Sequence, residues 1–277
     1  MSEADLVART EVPLTAESLA MKLRDCGLAA GQTVLVHTAM SKFGWIIGGA
    51  QAMILALLEV LGEDGTLMMP THTTSNTDPA EWQHPPVPER WWQHIRDHMP
   101  AFDPATSPTR QMGVVAELFR SWPGAIRSNH PTTSFAALGP NAEFLTGDHV
   151  LTQDLGERSP IGKLYELDGH VLLLGVDHTS NTSLHLAEYR ADYPGKREVR
   201  AASAMLVDGS RRWLEYQGLE LSTDDFDQIG GAFDIAHGIA VTRMIDAEVR
   251  HFRQRALVDF AVVWMEAHRD LSRSHEN

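Results

Sequence analysis

The chain of 277 residues carries 43% hydrophobic and 22% charged residues, ordinary globular usage that excludes a generally disordered polypeptide. Its formal net charge of −14, from 23 Lys plus Arg against 37 Asp plus Glu, sets the average surface against nucleic acid and anionic membranes and favours cationic partners. A single cysteine, Cys26, excludes an internal disulfide framework and a cysteine zinc site; the acidic start MSEADLVART lacks a signal-peptide pattern and no apolar run is long enough to cross a bilayer, so the expected compartment is the cytoplasm.

One domain over residues 1–277, built as a core with an inserted segment, is expected at this length. Residues 14–26 place apolar side chains at helical spacing, with Thr15 as N-cap and Gly27 as stop. Residues 33–37 then read as a strand, 50–61 as a second helix opened by Gly48-Gly49 and closed at Gly62, and 65–70 as a second buried strand. Helix, strand, helix, strand is the order of a layered α/β domain.

Residues 74–108 break that order. The segment is rich in Pro, Trp and His and lacks clear periodicity, but Trp82, Trp91, Trp92 and Phe102 favour its ordering, so it is expected to be a lid or an insertion that shapes a substrate site. Beyond it, 112–119 reads as a helix, 133–138 as a short strand, 170–176 (HVLLLGV) as a buried central strand, and the stretch from Asn181 to the Pro194-Gly195 stop as a helix. Residues 199–206 and 212–216, joined by Asp208-Gly209, predict a hairpin; 247–268 predict a closing helix, and the tail DLSRSHEN is expected to fray.

Ligand sites in open α/β sheets collect at the carboxyl ends of strands. Three polar clusters fall there: His37-Thr38-Ala39-Met40-Ser41-Lys42, Thr71-His72-Thr73-Thr74, and Asp177-His178-Thr179-Ser180-Asn181-Thr182, the last leading into a helix that carries His185 and Glu188. Residues three apart on a helix share a face, so Glu188 can orient His185 and stabilise its imidazolium, as a general base for an amine or alcohol requires. An isolated HxxE is more often a surface ion pair; its place behind a buried strand and a polar loop shifts the reading to function. His178, His185 and Glu188 are also chemically competent zinc ligands, yet the spacing matches no zinc motif and HExxH is absent, so no metal is expected. A GxSxG elbow, a P-loop, GxGxxG and an EF-hand are absent as well.

The stretches VLVHTAMSKFGWIIGGAQAMILALLEVLGEDGTLMMPTHT, FDPATSPTRQMGVVAELFRSWPGAIRSNHPTTSFAALGP and SPIGKLYELDGHVLLLGVDHTSNTSLHLAEY resemble, in order, spacing and local sequence, the aminoglycoside 3-N-acetyltransferases. The match runs from about residue 14 to the end and is tightest over 33–189. That resemblance implies a three-layer α/β/α fold around a central mixed sheet, with the lid-like insertion at 74–108 shaping the acceptor site. It separates the chain from the GNAT acetyltransferases, in line with residues 110–115, which lack the final small residue of the GNAT pyrophosphate loop. The implied donor is acetyl-CoA, the implied acceptor the 3-amine of the deoxystreptamine ring of an aminoglycoside antibiotic, and the implied outcome resistance, with a homodimer left open.

Residue by residue, the resemblance implies His185 and Glu188 as the active-site pair, with Asp227 at an acidic active-site position, and Met40-Ser41-Lys42, Thr71 and Arg158-Ser159-Pro160 as CoA-contacting stretches. Lys42 and Arg158 are suited to phosphates, backbone amides near Gly48-Gly49 can cradle them, and Thr71 or a backbone amide can meet the thioester oxyanion. For a polycationic acceptor the candidates are Asp103, Asp177 and the run Asp224-Asp225-Phe226-Asp227, in which Asp224 and Asp225 read as a solvated loop and Asp227 ranks higher. His178 and Asn181 are placed on the acceptor side. His130 falls at a recurrent family position where lining the site and structural hydrogen bonding are equally open; His37 and His72 are expected to support the acyl pocket. Transfer is expected to be direct, since Cys26 lies inside the first helix away from the clusters. The alternatives are acetylation of another natural-product amine, a metal-dependent amidohydrolase using His178, His185 and Glu188, and a non-catalytic ligand-binding protein.

Overall fold

The computed structural model describes residues 3–272. A short helix α1 (Glu3–Arg9) precedes α2 (Ala16–Asp25), whose Thr15 N-cap accepts from Ser18 N in a reciprocal capping box and whose chain turns at Gly27 with φ +88°. Then come β1 (Thr33–Thr38), a 3₁₀ turn over Met40–Phe43, α3 (Gly49–Leu61) and β2 (Thr66–Pro70). The segment that broke the pattern contains α4 (Trp92–His98); α5 (Gly113–Phe119), β3 (Ile126–Arg127), β4 (Phe135–Leu138), α6 (Ala142–Thr146) and α7 (Pro160–Glu166) follow. The chain closes with β5 (His170–Leu174), α8 (Ser183–Arg190), the hairpin β6 (Glu198–Val207) and β7 (Ser210–Leu219), α9 (Phe226–His237), β8 (Thr242–Met244), β9 (Ala247–Arg253) and α10 (Gln254–His268).

Seven strands form one mixed sheet in the order β3-β4-β2-β1-β5-β9-β8, parallel where β1 pairs with β2 and β5 and antiparallel elsewhere. Register makes the layers: Val34, Val36, Leu67, Met69, Leu172 and Leu174 point to the face covered by α2, α3 and α5, while Leu35, Met68, Val171 and Leu173 point to the face covered by α6 to α10. The α/β/α expectation therefore holds. Residues 247–268 differ from the single helix expected there: the first seven are β9, because β5 would otherwise expose a row of buried amides and carbonyls along its free edge, and pairing with residues 249–253 satisfies them.

The insertion is fastened to the β6–β7 hairpin. Phe102 N donates to Ala204 O at 2.8 Å, Asn76 brackets Ala204 through its side-chain amide, and Arg211 Nε donates to Met99 O at 2.9 Å. Among the described residues no helix is long and apolar enough to cross a membrane. Of the tail expected to fray, residues 273–277 lie outside the described residues.

Candidate active site

The carboxyl ends of β1, β2 and β5 gather the three polar clusters. Between them opens a cavity of about 460 Å³, with apolar walls from Val36, Met69, Met112 and Ala116 and with His37 and Thr182 on its polar side. Helix α8 starts at this rim because fully buried Asn181 accepts from Ser183 N at 3.2 Å, and Leu184, Leu186 and Ala187 anchor its other face in the core.

On the open face of α8, His185 Nδ1 lies 2.5 Å from Glu188 Oε2. An ionised carboxylate only accepts, so Nδ1 carries the proton and the Nε2 lone pair is left outward, with no hydrogen-bond partner among the described residues. The imidazole packs on Phe226, ring centroids 4.8 Å apart. Glu188 is fully buried, and its second oxygen accepts from Ser222 N at 2.9 Å and Arg269 Nη1 at 2.5 Å. Arg269 in turn donates through Nε to Asp225 Oδ2 at 2.7 Å, and through Nη2 to Asp225 Oδ1. Burial works against the Arg269 charge, but the hydrogen bond to Asp225 and the charges of Glu188 and Asp225 outweigh it and hold the guanidinium pKa above its ordinary value.

Two further imidazoles sit close by. Burial first, then the positive form of His185, pushes His37 and His72 each down to about 3, so both are neutral at physiological pH. Thr182 Oγ1 is 3.3 Å from His37 Nε2. Of these three histidines, His185 is the one with a carboxylate.

A second cavity of about 510 Å³ continues from the first through shared residues Val176, Thr179 and Ser180, and brings in Lys42, Asp177 and Arg243. Lys42 and Ser41 are exposed on the 3₁₀ turn, Met40 is half-buried, and the Ser41 carbonyl accepts from Arg9. Asp177 is exposed here, in a lining that also holds Asp246 and Glu248, and caps its own turn through Thr179 N at 3.0 Å. Near the proposed cradle, Gly49 N is already used by Ile46 O at 3.0 Å.

Several expectations change. Thr71 is fully buried with its hydroxyl between Ser134 Oγ at 3.2 Å and Arg127 Nε at 3.1 Å, so its side chain is committed to the scaffold and not to an oxyanion. Ser159 and Pro160 are buried at the start of α7, where Ser159 is the N-cap; only Arg158 of that stretch reaches the surface, paired with Asp148 at 2.5 Å. His178 lies buried under α9: its Nε2 is 3.1 Å from Asp234 Oδ1, and a Cβ on Gly230 would lie 2.0 Å from its ring. Asn181 meets the His178 ring at 3.4 Å as well as accepting from Ser183 N. His130 is fully buried, accepting from Thr133 N at 3.1 Å and meeting Leu151 O at 3.3 Å. Asp103 caps a turn through Ala105 N at 2.8 Å. Asp227 is exposed on the first turn of α9, one residue from Phe226, whereas Asp225 belongs to the Glu188 network and not to a solvated loop. His178, His185 and Glu188 do not converge, and among the described residues no group of three or more His, Cys, Asp or Glu is arranged to hold a metal ion. Arg269 and Ser222 were missed in the sequence, and Asp225 was read as part of a solvated loop: an arginine after an amphipathic helix reads as an ordinary complement to the helix dipole.

The family model for aminoglycoside 3-N-acetyltransferase matches residues 35–266. The SPbeta prophage-derived aminoglycoside N(3')-acetyltransferase-like protein YokD of Bacillus subtilis (strain 168) is 44% identical over 260 residues, 94% of this chain and 95% of that one, and the solved YokD structure superposes with a TM-score of 0.93 over 99% of this chain and 100% of its own. Aminoglycoside N(3)-acetyltransferase VII of Streptomyces paromomycinus is 39% identical over 280 residues, 96% of each chain. Two structural neighbours hold ligands: AAC-IIIb with CoASH (32% identity, TM-score 0.82, 92% and 97% covered) and AAC-VIa with sisomicin (28%, 0.84, 92% and 98%). The matched model spans most of the chain and the relatives cover nearly all of it, so the chain belongs to the aminoglycoside 3-N-acetyltransferase family and is an acetyltransferase.

Proposed function

We propose that this enzyme transfers the acetyl group of acetyl-CoA to the 3-amine of the deoxystreptamine ring of aminoglycoside antibiotics, giving resistance, with His185 as general base. The observation that carries this reading is the His185–Glu188 pair, with the imidazole Nε2 unengaged among the described residues, one turn along α8 from Thr182, which lines the 460 Å³ cavity. The CoASH and sisomicin held by the two neighbours support donor and acceptor. The apolar cavity suits the acetyl-pantetheine arm, and Lys42, exposed in the continuation, suits a phosphate of the same molecule, whereas Arg243 there is paired with Glu248 at 3.5 Å.

In the transfer step the neutral amine forms an N–C bond to the thioester carbonyl carbon while its proton passes to His185 Nε2. The C–S bond then breaks, its electron pair leaves on sulfur, and the imidazolium returns the proton so that CoA departs as the thiol. Glu188 stabilises the imidazolium between the two proton transfers. Asp227, exposed beside the Phe226–His185 contact, faces the acceptor's ammonium groups, and the insertion at 74–108 with its hairpin walls that side. The test is a panel of amines with acetyl-CoA, following thiol release: turnover confined to deoxystreptamine antibiotics is expected, and turnover confined to another natural-product amine would overturn the acceptor assignment.

A further inference from the structure

Glu188 is a fully buried carboxylate whose two oxygens have different duties: Oε2 meets His185 and Oε1 is taken by Ser222 N and Arg269. A buried carboxyl with a single imidazole partner would gain a proton as readily as the imidazole, and the pair would then lose its value as a base. Arg269 prevents that, but a lone arginine would also cancel the negative charge that makes His185 basic. Asp225 restores it. With Glu188 and Asp225 each negative and Arg269 positive, the network carries one net negative charge while His185 is neutral, and reaches neutrality when His185 takes the amine proton.

We infer that Arg269 and Asp225 are positioning residues of the acetyl transfer: Arg269 locks Glu188 ionised beneath His185, and Asp225 offsets the Arg269 charge so that the imidazole stays basic. This rests on the reading of His185 as base. Of the other groups facing the pair, the Lys196 ammonium carries a charge that acts on Glu188, and that charge is common to wild type and every variant compared below. His37 after β1 and His72 after β2 are neutral, Tyr193 under the Arg269 guanidinium keeps its phenolic proton through burial and the Glu188 charge, Tyr189 does so through burial and Asp154, and the Lys196 ammonium is held by the Tyr189 and Ala191 carbonyls. Three segments far apart in sequence, the end of α8, the loop before α9 and the cap of α10, meet at this network.

The experiment is an NMR titration of isotopically labelled histidine in the full enzyme, read at His185, for wild type, Asp225→Asn, Arg269→Gln and Arg269→Lys. Removing the Asp225 charge is expected to lower the midpoint of the His185–Glu188 pair and removing the Arg269 charge to raise it, each by about one pH unit for a charge several ångströms away; Arg269→Lys returns it toward wild type. Opposite signs are the signature, since a merely structural role gives no ordered shift. Asp225 lies partly at the surface, so if Arg269→Gln fails to fold, Asp225→Asn and Arg269→Lys decide the matter. A midpoint in Asp225→Asn that stays put or rises overturns the inference. The acid limb of kcat/KM should follow the NMR midpoints; midpoints that move while the limb does not would sink the reading of His185 as base and leave the network assignment standing.

Discussion

Strand β5 has imidazoles at both ends, and among the described residues only those past its carboxyl end hydrogen-bond a carboxylate; at the amino end the Asp168 charge reaches His170 but does not overcome burial. At its amino end His170 stacks on His251 with centroids 4.8 Å apart, and burial first, then His251, holds His170 down at about 4. Past its carboxyl end His185 sits against Glu188, itself held by Arg269 and Ser222 N. The difference teaches that burial alone turns a histidine into a neutral packing group. A base needs a buried partner that the fold keeps charged.

The contrast is broken most directly at His185. His185→Ala should cut turnover by about 10²- to 10⁴-fold, the range for a lost general base, while calorimetry finds CoA and antibiotic affinities close to wild type. Wild-type turnover in that variant would remove the residue from the mechanism. Glu188→Gln keeps the shape and an acceptor for Ser222 N and Arg269 but drops the charge, so a smaller loss in kcat of about 10- to 100-fold is expected, with KM nearly unchanged.

From the other end, His170→Phe should leave turnover unaltered and change only the response to acid. The folded-state value of His170, about 4, lies below the ordinary 6.5, so between those two pH values the unfolded chain binds the extra proton. Stability contributed by this group is full above 6.5 and is lost as pH falls toward 4. Thermal midpoints measured across that window should fall less steeply in His170→Phe than in wild type; an unchanged slope would contradict the assignment. The smallest effect is ionic: raising salt should weaken antibiotic binding severalfold by screening exposed carboxylates such as Asp227, with a Debye length of about 10 Å at 0.1 M. Salt-independent calorimetric affinity would argue against a charge-built acceptor site.

Much of this was legible in the sequence. Asp208 and Gly209 lie at φ +49° and +72°, the left-handed pair a tight hairpin demands, and the central strand HVLLL is buried throughout. The i,i+3 spacing alone placed His185 and Glu188 on one face. Arg269 was not legible because it reaches Glu188 across 81 residues of chain, a contact with no local pattern. Strand β9 was hidden because Val249, Phe252 and Ala256 fit helical spacing; its identity is set by the open edge of β5, which no local window contains. Thr71 looked available because it follows a strand, and the partner that occupies it, Arg127, is 56 residues away; Ser159 is taken locally, by Gly156 O and as the N-cap of α7.

The most direct test of the central claim is the product itself. Purified enzyme, acetyl-CoA and a deoxystreptamine aminoglycoside are incubated, thiol release is counted against acetylated antibiotic by mass spectrometry, and NMR locates the acetyl group. One acetyl on the 3-amine for each thiol released is predicted; thiol release without acetylated product, or acetylation at another amine, would contradict it.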